Sequence, residues 1–273
     1  MLKRIYFVLP LLLWVASFTA CSTTSSIERE VSTAQDRVVT EQEAAKAVDG
    51  EFQTKNLIYD DPANQRMLSD MVARLVKTSH NPKANFTVRL VKQNEPNAFS
   101  VGGQYVYVTA GLLKFANGDK DMLAGILGHE ISHDFAGHQD RKGTVEAWKD
   151  MAVSLIGNKS AQTAAGLTAN LFTLKYSRAY EREADILGAV YTYRAGYDPR
   201  GLNRFFEKMS KQGGGIPTNL SFLSTHPSDP SRIQNINLVI QFLKKELTVD
   251  EIAAIDPKTA DVLRAVVQLD QRS

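Results

Sequence analysis

Apolar positions change their period several times along this chain, and the changes mark out its elements. The first apolar run spans Ile5 to Ala20, 16 residues interrupted only by Pro10, Ser17 and Thr19 and preceded by Lys3 and Arg4. Residues 22–37, "STTSSIEREVSTAQDR", are polar with no apolar period, as a flexible tether should be. "TEQE" at 40–43 reads as a capping box and opens a helix. A second helix follows "YDDP", with Asp61 as cap, Pro62 at the first helical position, and Met67, Met71 and Leu75 at helical spacing. "NFTVRLVKQ" (85–93) alternates as a strand, and "GGQYVYVT" (102–109) alternates again after a Gly-Gly turn. These two strands predict one small antiparallel sheet.

The helical period then returns. Asp119 or Asp121 caps a helix that should run on through a histidine cluster. Residues 142–175 are helical in character but rich in Ala, Gly and Thr, which predicts loose, mobile association. "SRAYEREADILGAVYTYRAGYDP" (177–199) is a strong helix ended by Gly196 and Pro199. "SDPSRIQNINLVIQFLKKEL" starts another, and the chain from Thr248 forms short amphipathic pieces. "FLSTHPSDPSR" around His226 reads as a loop. The fold class expected is α+β, mainly helical, with the small sheet beside the histidine helix and the 177–199 helix crossing it. The expected organisation is a signal at 1–20, a tether at 21–39, a catalytic domain at 40–247 and a helical tail at 248–273.

Composition sharpens this picture at the N-terminus. The first apolar run is shorter than the roughly 20 residues that span a bilayer, and its positive-then-apolar order is that of a secretory signal. It ends at Cys21, the only cysteine. "FTAC" resembles the bacterial lipobox, with Phe18 where Leu is usual, which implies lipidation of Cys21. Ser22 stands where Asp would resemble an inner-membrane retention signal, so the expected location is the periplasmic side of the outer membrane. Without residues 1–20 the chain keeps 30 basic and 30 acidic side chains. That balance gives no footprint for nucleic acid.

Candidate chemistry lies between Gly128 and Lys142, which hold three of the five histidines. His129, Glu130 and His133 spell His-Glu-x-x-His. On a helix the two histidines stack on one face and reach one metal ion, while Glu130 stands beside them as a general base. A catalytic zinc needs a third protein ligand and one open position. The metzincin register would need Gly at 136 and His at 139, where this chain has Ala136 and Gln139. His138 lies nine residues from His129, half a turn round, and should point away from the metal as a core or outer residue. Glu181 and Asp185, four apart on one helix face, are better candidates. Glu181 can ligate, and Asp185 can orient a ligand histidine or donate to the reacting oxygen.

"GHEISH" followed by "SRAYEREAD" resembles the HtpX-like and CAAX-prenyl-endopeptidase family of zinc metallopeptidases, a branch of the gluzincins. "NAFSVGGQYVYVTAGLL" (97–113) and "STHPSDPSR" (224–232) are similar to other parts of that family, so the likeness covers about residues 60–240. It implies one Zn2+ per chain held by His129, His133 and Glu181, with Glu130 as base and Asp185 as second acidic residue. It also implies that His226 approaches the zinc, as a gate or an oxyanion contact, and that Arg232 helps to hold the site or the oxyanion.

The expected activity is metal-assisted peptide hydrolysis. Tyr105, Val106, Tyr107, Val108 and Thr109 form the strand expected to hold substrate by β-addition, which reads backbone more than side chains. The partners expected are unfolded or misfolded envelope proteins, and the membrane through a lipid anchor. A latent protease that serves mainly as a chaperone or assembly factor is the alternative, with 142–175 and His226 covering the zinc. A structural zinc site is disfavoured, because such sites close all four positions, mostly with cysteine.

Overall fold

Two helices that carry the candidate chemistry cross where glycine faces glycine. The computed structural model describes residues 41–43, 45–138, 176–211, 222–227 and 229–271. The expected signal, Cys21, the tether, the Thr40 cap and the 142–175 segment lie outside the described residues. The chain divides at Val38/Val39, and all the described residues belong to the second unit.

After a helical stretch at 45–54 come α1 (Pro62–Lys77), β1 (Thr87–Val91), β2 (Ala98–Ser100), β3 (Tyr105–Thr109), α2 (Ala110–Ala116) and α3 (Lys120–Phe135). Then follow α4 (Arg178–Arg194), α5 (Gly201–Lys211), α6 (Phe222–Thr225), α7 (Pro230–Leu243), α8 (Val249–Ile255) and α9 (Pro257–Asp270). Their starts obey local chemistry. Asp61, Asp119, Ser177, Asp229 and Thr248 each accept a backbone N–H from the first turn of the helix they cap. None of the helices among the described residues is long and apolar enough to cross a membrane.

The sheet departs from expectation in direction. Its order is β1-β3-β2, with β3 parallel to β1 and antiparallel to β2, so it is mixed. Alternation reports which face a residue occupies but not which way its strand runs, and the three-residue β2 is too short to show a period. The turn Gly102–Gly103–Gln104, all at positive φ, folds β3 back between its neighbours. Consequently Tyr105–Thr109 is the central strand. Its backbone is paired on both sides, so it cannot take up substrate as an added strand.

Side chains alternate across that sheet into two cores. Val88, Leu90, Val106 and Val108 join the main core with α1, α3 and α4. Phe99 and Tyr107 face the other way, stacked with centroids 5.1 Å apart, and meet Phe52 of the 45–54 helix. Asp49 fixes that helix by accepting two 2.7 Å hydrogen bonds from Arg89. Helices α8 and α9 pack into the main core through Ile252, Ala260, Leu263 and Val266, all buried. Helix α5 went unread in the sequence, although Leu202, Phe205, Phe206 and Met209 carry the i, i+3, i+4, i+7 signal and are buried in it.

The α3–α4 crossing sets the site. A Cβ at Gly128 would stand 2.9 Å from the Gly188 carbonyl oxygen, and one at Gly188 would stand 2.8 Å from the His129 amide nitrogen. Only glycine allows this approach, and it brings His129 within reach of the first two turns of α4.

Candidate active site

Helix α3 presents His129 and His133 four residues apart, with ring centroids 4.6 Å apart. Helix α4 starts at its Ser177 cap and so carries Glu181 in its first turn. His226 follows α6, its backbone N–H closing that turn on Phe222 O at 2.9 Å. One ligand atom from each of His129, His133, Glu181 and His226 lies within 4.8 Å of the other three, and all four residues are buried. His129 Nε2 is 3.0 Å from His133 Nε2 and 3.2 Å from His226 Nδ1. Glu181 Oε1 is 3.0 Å from His226 Nδ1 and 3.5 Å from His133 Nε2. Imidazole nitrogens and a carboxylate aimed at one dry point fit a cation better than they fit one another.

The expectation of a loop around His226 is met at His226 and Pro227, which are non-helical, but not in the residues just before them. Phe222–Thr225 is a helical turn, and the His226 ring stacks on Phe222 with centroids 4.2 Å apart. A buried aromatic neighbour supplies what the Pro- and Ser-rich pattern hid. His226 is thus seated in the cluster, with its ring against Phe222.

Behind the ligands stands a second set of charges. Arg232, from α7, donates from Nε and Nη2 to the two oxygens of Asp185, each at 2.7 Å. Its Nη1 is 2.7 Å from Glu181 Oε2, and its guanidinium lies 4.4 Å over the Phe206 ring. Asp185 Oδ1 is also 2.9 Å from His129 Nδ1. At that distance the carboxylate is close enough to orient a ligand histidine, although the two are not aligned as a hydrogen bond here.

His138 is indeed an outer residue, but not because it lies half a turn round the helix. Helix α3 ends at Phe135, Gly137 takes φ +59°, and the chain folds back over the helix end. His138 Nδ1 then lies 2.9 Å from His133 Nδ1, behind the ligand rather than remote from it.

Sequence comparison places these residues in a known group. The profile of peptidase family M48 matches residues 62–239, more than half of the chain. The chain belongs to that family. It is 30% identical over 198 residues to the mitochondrial metalloendopeptidase OMA1 of Schizosaccharomyces pombe, covering 71% of this chain and 58% of that protein. It is 27% identical over 189 residues to the β-barrel assembly-enhancing protease of Escherichia coli K12, covering 64% of this chain and 39% of that protein. The match to the Arabidopsis thaliana OMA1 is 28% identical over 214 residues, 76% of this chain and 44% of that protein. This chain thus spans less than two thirds of the length of each of these relatives.

M48 proteases are metal-dependent, and the electrostatics of the cluster suit a ligand set. Burial, partly offset by Asp185, lowers the pKa of His129. Burial together with neighbouring His129 holds His133 well below the ordinary imidazole value. Both are thus neutral and able to ligate. Burial opposes ionisation of Glu181, but the charges of His226 and Arg232 outweigh it and hold its pKa well below the carboxylate range. Burial likewise opposes protonation of His226, but Glu181 and Glu130 outweigh it and raise its pKa. His226, unlike His129 and His133, must therefore lose a proton before it can ligate. Burial pushes Glu130 up to about 7.

Glu130 is held by a contact that the sequence did not reveal. Its Oε2 accepts a 3.0 Å hydrogen bond from the Ser100 backbone N–H of β2. Its Oε1 is 3.3 Å from His226 Nε2 but has no aligned donor among the described residues. Asp134 fastens the same strand, accepting from Ser100 Oγ at 3.1 Å and from the Gln104 N–H at 3.0 Å. Tyr176 was also missed. Its ring stacks on His133 at 4.0 Å between centroids. A backbone contact leaves no residue-type signal, and Tyr176 precedes its helix, outside any period.

Proposed function

We propose that this protein is a zinc metalloendopeptidase of the bacterial cell envelope that hydrolyses unfolded or misfolded proteins. One observation carries the reading: the ligand atoms of His129, His133, Glu181 and His226 converge while Glu130, itself not among them, stands beside them. Two or three imidazoles with a carboxylate are a donor set suited to zinc. Bound zinc supplies Lewis-acid polarisation of the scissile carbonyl and of water. Glu130 Oε1, which has no aligned donor among the described residues, takes the proton from water and delivers it to the leaving amine, while Oε2 stays on Ser100. Asp185 and Arg232 fix His129 and Glu181 in place.

Because β3 is paired on both sides, extended substrates would approach the sheet from the side of β2, whose three residues are buried and whose Ser100 N–H is already held by Glu130. Pairing through backbone groups suits clients without a fixed sequence. The name of the β-barrel assembly-enhancing relative supports β-barrel proteins as clients. The N-terminal pattern supports a signal at 1–20, lipidation at Cys21 and a tether at 21–39, with residues 40–273 on the periplasmic side of the outer membrane. Loss of fatty-acid label from Cys21→Ala tests the anchor; label that persists defeats it.

His226 favours a second reading. Its Nδ1 lies inside the ligand cluster, where a fourth protein donor would keep water out. The protein would then rest as a latent protease that holds clients as a chaperone. Cleavage of casein by the purified protein decides between them. Zinc-dependent hydrolysis that Glu130→Gln abolishes, with zinc retained, supports the peptidase. Equal hydrolysis by Glu130→Gln defeats it. In metal analysis Glu181→Ala should lose zinc, because only His129 and His133 of the expected three ligands remain.

A further inference from the structure

His133 offers a ligand atom only in one tautomer. Its Nε2 faces His129 Nε2 and Glu181 Oε1, so that nitrogen must carry a lone pair and Nδ1 must carry the proton. In a fully buried ring that Nδ1–H needs an acceptor. The atom in place is His138 Nδ1, at 2.9 Å. His138 can accept there only if its own proton sits on Nε2, and Nε2 lies 3.2 Å from Glu183 Oε2. A carboxylate accepts and does not donate, so Glu183 fixes His138, and His138 fixes His133.

Backbone geometry builds this arrangement. Gly137 at φ +59° turns the chain back, the His138 N–H donates to His133 O at 3.1 Å, and Tyr180 stacks on the His138 ring at 4.4 Å. His129 is served differently, by Asp185 directly, and Asp185 is buried and paired with Arg232. For His133 the control passes through a second imidazole and ends on a carboxylate whose side chain is one third exposed.

We propose that His138 and Glu183 are positioning residues that set the tautomer of His133 and thereby the affinity of the site for its metal. The proposal rests on the metallopeptidase reading and adds two residues that touch neither metal nor substrate. The test is the zinc dissociation constant of the full chain, by competition with a chromogenic chelator, beside thermal melting of the metal-free protein. His138→Leu should weaken zinc about 10- to 100-fold, the usual effect of losing an outer partner. His138→Asp places an acceptor oxygen where Nδ1 was and should restore affinity to within about threefold. Glu183→Leu, at a partly exposed position, should weaken zinc by about 3- to 10-fold while the metal-free melting temperature is unchanged.

Wild-type zinc affinity in His138→Leu overturns the proposal, as does His138→Asp binding no better than His138→Leu. If His138→Leu does not fold, Glu183→Leu decides: unchanged affinity overturns the proposal and a loss supports it. A wild-type protein that binds no zinc at all would instead defeat the metallopeptidase reading on which it rests.

Discussion

Arg232 grips Asp185 through two parallel 2.7 Å hydrogen bonds, and both residues are buried. The pair neutralises the carboxylate that orients His129. Removing one partner of a buried ion pair leaves an uncompensated charge, which costs about 3–5 kcal/mol. Arg232→Ala is therefore expected to lower the urea midpoint sharply. Arg232→Lys should recover only part of it, because an ammonium cannot fork across two oxygens and also reach Glu181. A fully stable Arg232→Lys would show that the bidentate geometry is dispensable.

Gly188→Ala addresses the helix crossing. The new Cβ would meet His129 N at 2.8 Å, so α3 and α4 must separate. Overpacking of this kind costs about 1–3 kcal/mol. The shift moves His129 and His133 away from Glu181, so metal content should fall as well. Thermal melting and metal analysis of the variant check both effects. Normal metal content in a destabilised protein would uncouple the crossing from the site.

His226→Ala distinguishes gate from oxyanion contact. A ring already inside the ligand cluster favours the gate, so basal casein cleavage should rise, with self-cleavage, while metal is retained. An oxyanion donor predicts the reverse, a fall of about 10²-fold. The sign of the change is the readout.

His80 gives a pH dependence remote from the cluster. It sits between Phe135 and Tyr191 and hydrogen-bonds the Tyr191 hydroxyl; burial lowers its pKa. As pH falls through the ordinary value of 6.5, the unfolded chain takes up this proton before the folded one does. Stability is thus full above that value and declines below it. The drop in urea midpoint between about pH 7.5 and about pH 5.5 should be smaller in His80→Asn than in wild type. It should not vanish, because His129 and His133 are lowered too. An unchanged drop would exclude His80 as a source.

Chain-local chemistry is legible in the sequence itself. The caps at Asp61 and Ser177, the His129–His133 spacing and the Glu181–Asp185 spacing all depend on neighbours within one or two helical turns. Periodicity and a few residue types report such contacts fully. The candidate ligands His129, His133 and Glu181, and the candidate base Glu130, could therefore be picked out by spacing and residue type. Arrangement in space could not. The central place of β3 depends on which strands the chain folds it between, and alternation is blind to that. The hold of Ser100 on Glu130 is a backbone contact with no side-chain signature. The seat of His138 follows from a helix that stops at Phe135 and a left-handed Gly137, and helical geometry extrapolated past the end put it on the wrong side. Arg232, 47 residues from Asp185, reaches it only because the core brings α7 against α4. Spacing fixes what a segment can present, whereas burial and long-range closure decide what it meets, since each such contact depends on the whole chain being folded.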